Sequence, residues 1–269
     1  VPMAEIVLVH GAWHGPWCWV HVDAELKRRG HRVTSIALPG HETPGRRDRL
    51  WTTINHSVDA LRTSVAACAD PPLLVGHSMG GYVVQRYLES ADVDAAVLVA
   101  SVPVKGALAA NLRLLRSHPR RTVSAMLSAN FIRLVDDPDT VRQLFFTEYT
   151  PEEVVGAVVE RLQNESARAI AAMIARPSRT ERVTTPVHVV AAERDAIFTL
   201  EEQRQLAAAY RTQVVELHGG HDLMLDTGWP QLTEFIDGVA NGSIDHLEAE
   251  PEVSSPARLS ASRWRRARH

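Results

Sequence analysis

The sequence predicts an α/β fold, with a mainly parallel sheet flanked by helices and a helical cap inserted into it. Three observations carry that prediction. Short apolar runs alternate with stretches of helical spacing, which implies right-handed crossovers between parallel strands. The alternation breaks over residues 103–184, where helix-compatible segments are punctuated by Pro119, Pro138, Pro151 and Pro177. It then resumes, so the helical block interrupts the sheet between two of its strands.

"AEIVLVHG" (4–11) is an apolar run closed by glycine and reads as the first strand. Residues 17–29 follow with helical spacing (Trp17, Val20, Val22, Leu26) and stop at Gly30, a C-cap signal. "HRVTSIAL" (31–38) is β-branched and reads as a strand ended by Pro39-Gly40. A loop rich in Gly, Arg and Pro runs to about residue 52. Residues 54–69 read as helix, 71–77 as strand, 79–90 as helix and 94–101 as strand. After the cap come a strand at 185–193, helix at 199–210, strand at 212–219 and helix at 229–240. The expected division is a core of residues 3–102 and 185–240, a cap of 103–184 and a mobile tail of 241–269. In that tail acids (Asp245, Glu248, Glu250, Glu252) give way to arginines (Arg258, Arg263, Arg265, Arg266, Arg268), with little to bury.

The 269 residues are 45% hydrophobic and 23% charged, with a net charge of -3. Nothing in that balance advertises nucleic acid or an anionic membrane as partner. No run approaches the ~20 apolar residues of a membrane span, and the N-terminus lacks a basic region followed by an apolar one. A cytoplasmic enzyme or binding protein is the expectation. Cys18 and Cys68 match no disulfide framework or metal spacing and read as buried structural thiols.

"LLVGHSMGGYVV" (73–84) raises the chemical question. Gly76-His77-Ser78-Met79-Gly80 fits G-x-S-x-G between a predicted strand and a predicted helix, where a sharp turn needs small neighbours and projects the serine. A serine hydroxyl needs a base to become a nucleophile. Of 13 histidines, His221 in "ELHGGHDLMLDTGWP" lies just past the last strand, at the same sheet edge as Ser78. His218 falls at the strand end before two glycines, and the side chain of His77 leaves the turn in another direction. Asp195, after the fifth strand, is the carboxylate expected to orient the base, with Glu193 as its rival; this gives the order Ser, Asp, His. Met79 N–H and Ala12 N–H, the latter in the loop after the first strand, are expected to form an oxyanion hole. His10 and His14 have i, i+4 spacing, but in a turn with no third ligand they do not read as a metal pair. Trp13 and, from the cap, Met126, Phe131, Phe145, Phe146, Tyr149 and Met173 are the candidates for an apolar pocket. Arg113, Arg116 and Arg133 are the cap arginines that an anionic substrate would meet.

With these residues in place, the chain resembles the α/β-hydrolase superfamily over about residues 4–240. It is most similar to the branch holding hydroxynitrile lyases, plant methyl esterases and bacterial pyrethroid-type carboxylesterases. The resemblance lies in "VLVHGAWHGPWCW", "GHRVT", "VGHSMGG", "ERDAIF" and "GGHDLML". It implies a six-stranded sheet, a helical cap, no cofactor and a possible homodimer. It also implies Ser78, Asp195 and His221 as a triad, with Ala12 and Met79 as the oxyanion hole. Lyases of the branch carry threonine where this chain has Gly11 and lysine where it has Asp222; an aspartate there would oppose departing cyanide. The resemblance therefore points to a serine carboxylesterase acting on a small-molecule ester, with a lyase on the same residues or a non-catalytic ligand-binding protein as alternatives.

Overall fold

The computed structural model describes residues 3–41 and 51–244. The charged tail beyond residue 244 and most of the Gly/Arg/Pro loop lie outside the described residues. Six strands form one sheet: β1 (Glu5–Val9), β2 (Arg32–Ile36), β3 (Leu73–His77), β4 (Ala95–Val99), β5 (Val187–Ala192) and β6 (Val214–Leu217). Their order is β2-β1-β3-β4-β5-β6, and every pairing is parallel. The central strands are near-continuous apolar runs because helices cover both faces. Alternate residues enter opposite layers. Ile6, Leu8, Val75, Val97 and Val99 pack on one side with Val22, Leu26, Leu232 and Ile236. Val7, Val9, Leu74, Ala96 and Leu98 pack on the other with Leu61, Val83, Val84 and Leu206.

The first layer is covered by α1 (Val20–Arg28) and α10 (Trp229–Ala240), the second by α2 (Ile54–Ala66), α3 (Met79–Leu88) and α9 (Leu200–Ala209). The helix expected at 17–29 is split, with a 3₁₀ turn at Pro16–Trp19 ahead of α1. Helix starts carry the expected chemistry. Thr53 caps α2, and Thr199 with Glu202 forms a reciprocal capping box on α9. Cys18 is buried as expected. Cys68 is not: it sits half-exposed just past α2, its thiol directed to the Ser64 carbonyl.

Between β4 and β5 run α4 (Leu108–Ser117), α5 (Pro119–Ser128), α6 (Pro138–Phe145), α7 (Glu152–Val159) and α8 (Ala167–Ala175). Among the described residues no helix is long and apolar enough to cross a membrane.

The chain passes from β1 out to β2 and then returns to β3 on the other side of β1. The strand order therefore reverses at the β1/β3 junction, the place where open α/β sheets leave a crevice at their carboxyl ends. Val9 pairs with Gly76 in the register, so the loop opening at His10 lies beside the turn at Ser78.

Asp226 ties the loop before α10 to the helical segment. Its buried carboxylate accepts from the N–H groups of Gly220 (2.8 Å), Thr147 (3.0 Å) and Thr227 (2.6 Å) and from the hydroxyls of Thr147 (3.2 Å) and Thr150 (2.5 Å). Burial opposes its ionisation, but the bonds from Thr150, Gly220, Thr227 and Thr147 prevail and hold its pKa below the ordinary value. A carboxyl with a depressed pKa contributes stability above the unfolded-state value and loses it as pH falls through the folded one. Asp226→Ala should lower the urea unfolding free energy by about 2–4 kcal/mol at pH 7, because several donors lose their acceptor. The difference from wild type should shrink below about pH 4. A variant within about 0.5 kcal/mol of wild type at pH 7 would contradict the network's role.

Candidate active site

Ser78 joins β3 to α3 with φ 51° and ψ -116°, a positive φ that a non-glycine residue adopts only under constraint. The constraint is the close approach of helix to sheet. A Cβ on Gly76 would lie 2.7 Å from the Gly80 carbonyl, and one on Gly80 would collide with the carbonyls of Val9 and His10. Ser78 N–H donates to Val99 O at 3.0 Å, and its carbonyl accepts from Tyr82 N–H at 3.2 Å. The turn is thus bonded to β4 on one side and to α3 on the other.

Ser78, Met79, Ala12 and Trp13 line one cavity of about 100 Å³ beneath the helical segment. Its other walls are mainly apolar, among them Phe131, Leu144, Ile170, Met173, Ile197 and Phe198. Met79 is the first residue of α3, where N–H groups have no intrahelical acceptor. Neither Ala12 N–H nor Met79 N–H donates to a backbone acceptor among the described residues. The peptide carrying the Ala12 N–H is aligned from its other end. His10 Nδ1 donates to Gly11 O at 2.9 Å, while Leu38 N–H occupies His10 Nε2 at 3.0 Å and so fixes the tautomer. Burial, then the neighbouring His41, pushes the pKa of His10 well down.

His221 Nδ1 donates to Asp195 Oδ2 at 2.9 Å, and both side chains are almost wholly buried. Asp195 Oδ1 accepts from the N–H groups of Ile197 (2.8 Å) and Phe198 (2.9 Å), which fixes the carboxylate plane. Burial works to lower the His221 pKa, but the Asp195 charge and hydrogen bond, with Asp222 adding to them, leave it above its ordinary value. The imidazole lies among the rings of His77 (4.8 Å), Phe198 (5.5 Å) and Phe145 (6.0 Å). His77, the neighbour of Ser78, donates from Nε2 to the His221 carbonyl at 3.0 Å. Burial, then His221, drives its pKa down to about 3, so its ring is neutral.

The rival residues pair with each other. Glu193 and His218 form an exposed contact of 2.8 Å outside the cavity. His10 and His14 have both ring nitrogens engaged by the protein, which leaves neither free as a metal ligand. The ligating atoms of His77, His221 and Asp222 lie within 4.8 Å of one another. Each of these side chains has one hydrogen-bond partner in the protein, the His221 carbonyl for His77, Asp195 for His221 and His14 for Asp222, while His77 Nδ1 and Asp222 Oδ1 are buried without one.

Several pocket expectations need correction. Met126 is 48% exposed and Tyr149 59%, the latter beneath the Arg194 guanidinium, so neither lines the cavity. Phe145 and Phe146 are buried but absent from its walls. Phe145 packs on Trp13, His14 and the ring of His221, and the backbone of Phe146 abuts Gly220. Trp13, Phe131 and Met173 do line it. Arg113 reaches the cavity, but its charge is met by Glu202 at 2.6 and 3.0 Å. Asp222 does not face the cavity and binds His14 instead. Sequence reasoning missed Phe198, although an aromatic residue three positions past the acid was a usable signal. It also missed Glu165, which accepts from Trp13 N–H and contacts His41.

A family model described as "Alpha/beta hydrolase family" matches residues 6–232. The chain belongs to this family. A carbendazim hydrolyzing esterase of Nocardioides sp. (strain SG-4G) is 44% identical over 86 residues, 30% of this chain and 34% of that protein. Esterase PIR7B of Oryza sativa subsp. japonica is 42% identical over 103 residues, 36% of this chain and 38% of that protein. The matches thus span little more than a third of these relatives' own length. A thermophilic esterase from Thermogutta terrifontis shares the fold, with a TM-score of 0.69 at 21% identity over 89% of this chain and 90% of that one.

The pairing of His221 with Asp195 has a direct spectroscopic consequence. In an NMR titration of this α/β hydrolase, His221 should titrate above 6.5, and Asp195→Asn should bring its midpoint down. A midpoint unchanged by Asp195→Asn would show that the two are not coupled.

Proposed function

We propose that the chain is a serine esterase that cleaves small apolar or aromatic carboxylic esters through an acyl-enzyme on Ser78. One arrangement carries this reading: Ser78, on its strained turn, shares an apolar cavity wall with the N–H-bearing residues Ala12 and Met79. The esterase names of the two curated relatives support it. Residues 3–102 and 185–240 serve as the core that carries the reactive loops, and residues 103–184 serve as the cap that shields the cavity from water.

In the proposed reaction His221, oriented by Asp195, takes the Ser78 proton as the hydroxyl oxygen attacks the ester carbonyl. The N–H groups of Ala12 and Met79 receive the developing oxyanion. His221 then protonates the leaving alcohol, and the same base activates water to release the acid. An elevated base pKa favours proton uptake from serine, and Asp195 stabilises the resulting imidazolium. Cyanohydrin cleavage fits less well. A Cβ on Gly11 would lie 2.8 Å from His77 Nδ1, so the lyase threonine has no room without a shift of that ring. No cation stands at position 222.

A panel of p-nitrophenyl esters, methyl esters, lactones and mandelonitrile tests the reading. Wild type should show a burst with p-nitrophenyl butyrate and prefer it to palmitate, since the cavity is small. Ser78→Ala should lose about 10⁶-fold in kcat. Full turnover by Ser78→Ala, or serine-dependent cyanide release without ester cleavage, would overturn the proposal, as would tight ligand binding without turnover.

A further inference from the structure

Asp222 and His14 are fully buried, and neither lines the cavity. Their contact, His14 Nε2 to Asp222 Oδ2 at 2.9 Å, joins the loop that carries His221 to the loop that carries Ala12. The other ring nitrogen, His14 Nδ1, donates to the Ala12 carbonyl at 2.7 Å. A carbonyl only accepts, so one ring proton lies at Nδ1. The contact with the carboxylate then needs a second proton between Nε2 and Asp222.

The consequence falls on Ala12. Its carbonyl belongs to the peptide it shares with Trp13, whose N–H donates to Glu165 Oε2 at 3.3 Å. That peptide plane is therefore gripped on both edges, by His14 and by Glu165. The preceding plane, which carries the Ala12 N–H, is gripped by His10 through Gly11 O. Trp13 itself has φ 64°, in the left-handed region, so the loop holds a conformation that it would relax without these restraints. At the other end, Asp222 N–H donates to Phe145 O at 2.9 Å, which fixes the residue next to His221.

We infer that the His14–Asp222 pair is a positioning strut that locks the oxyanion-donor loop to the base loop, so that Ala12 N–H and His221 keep one mutual geometry. This rests on the esterase reading of the site. Both residues are positioning residues, since they act through Ala12 and His221 and touch no substrate. Losing the strut should impair the transition state and leave ground-state binding in the apolar cavity nearly untouched.

The test is steady-state hydrolysis of p-nitrophenyl butyrate by wild type, His14→Ala, Asp222→Ala, the double alanine variant and Asp222→Asn. Thermal melting is run in parallel, with Ser78→Ala as control. Each single alanine variant should lose about 10- to 100-fold in kcat with KM within about twofold, and the double variant should be no slower than the slower single one. Asp222→Asn should recover most of the rate, because its amide N–H can donate to Nε2 of a neutral ring and leave Nδ1–H on Ala12. His14→Phe/Asp222→Asn keeps the ring volume and leaves no unpaired buried charge, so it should fold, and it should lose rate as the alanine variants do. Wild-type kcat in this variant or in a folded alanine variant overturns the strut. Losses that multiply in the double variant, or that appear in KM, overturn it equally. Turnover retained by Ser78→Ala instead refutes the esterase reading, and the strut with it.

Discussion

The close approach of α3 to the carboxyl ends of β1 and β3 is the constraint on which the rest of the site depends. Gly80 sits where any side chain would strike the carbonyls of Val9 and His10, and Gly76 sits where one would strike Gly80. Only that proximity lets the chain turn within one residue, and the turn forces Ser78 to a positive φ. The cost of that backbone conformation, about 1–3 kcal/mol, is carried by the strand and helix packing around it. In return the serine stands at the cavity wall with the opening N–H groups of α3 beside it.

The loops around this turn are organised by buried imidazoles, each with a different task. His10 aligns the Gly11–Ala12 peptide, His77 holds the backbone of His221, and His14 connects Ala12 to Asp222. Bonds from ring nitrogens to backbone carbonyls orient peptide groups that no side chain of their own could grip. The neutral state of His77 and the elevated affinity of His221 for protons follow from the same crowding: at His77 burial prevails over Asp222, whose Oδ1 lies 3.7 Å from its Nε2, whereas at His221 the Asp195 charge and hydrogen bond prevail over burial.

Much of this was legible in the sequence. Strand and helix order, the inserted helical segment and the positions of Ser78, Asp195 and His221 follow from local periodicity and from glycines whose placement only a tight turn explains. Pocket residues were less legible. Phe145 and Tyr149 belong to the same aromatic-rich stretch, yet one packs against His221 and the other is exposed, and only the tertiary path of α6 and its following loop separates them. Asp222 misled for a related reason. Its neighbour fixes its position in the chain but not the direction of its side chain, which turns toward a histidine 208 residues away. Contacts at such separation leave no periodic signal.

Covalent labelling tests the central claim, that the strained turn makes Ser78 a nucleophile served by His221. A small alkyl fluorophosphonate, followed by peptide mass mapping, should give a single adduct on Ser78, and His221→Ala should slow its formation by at least about 10²-fold. A folded wild-type protein that is labelled at another residue, or one labelled at Ser78 equally fast without His221, would contradict it.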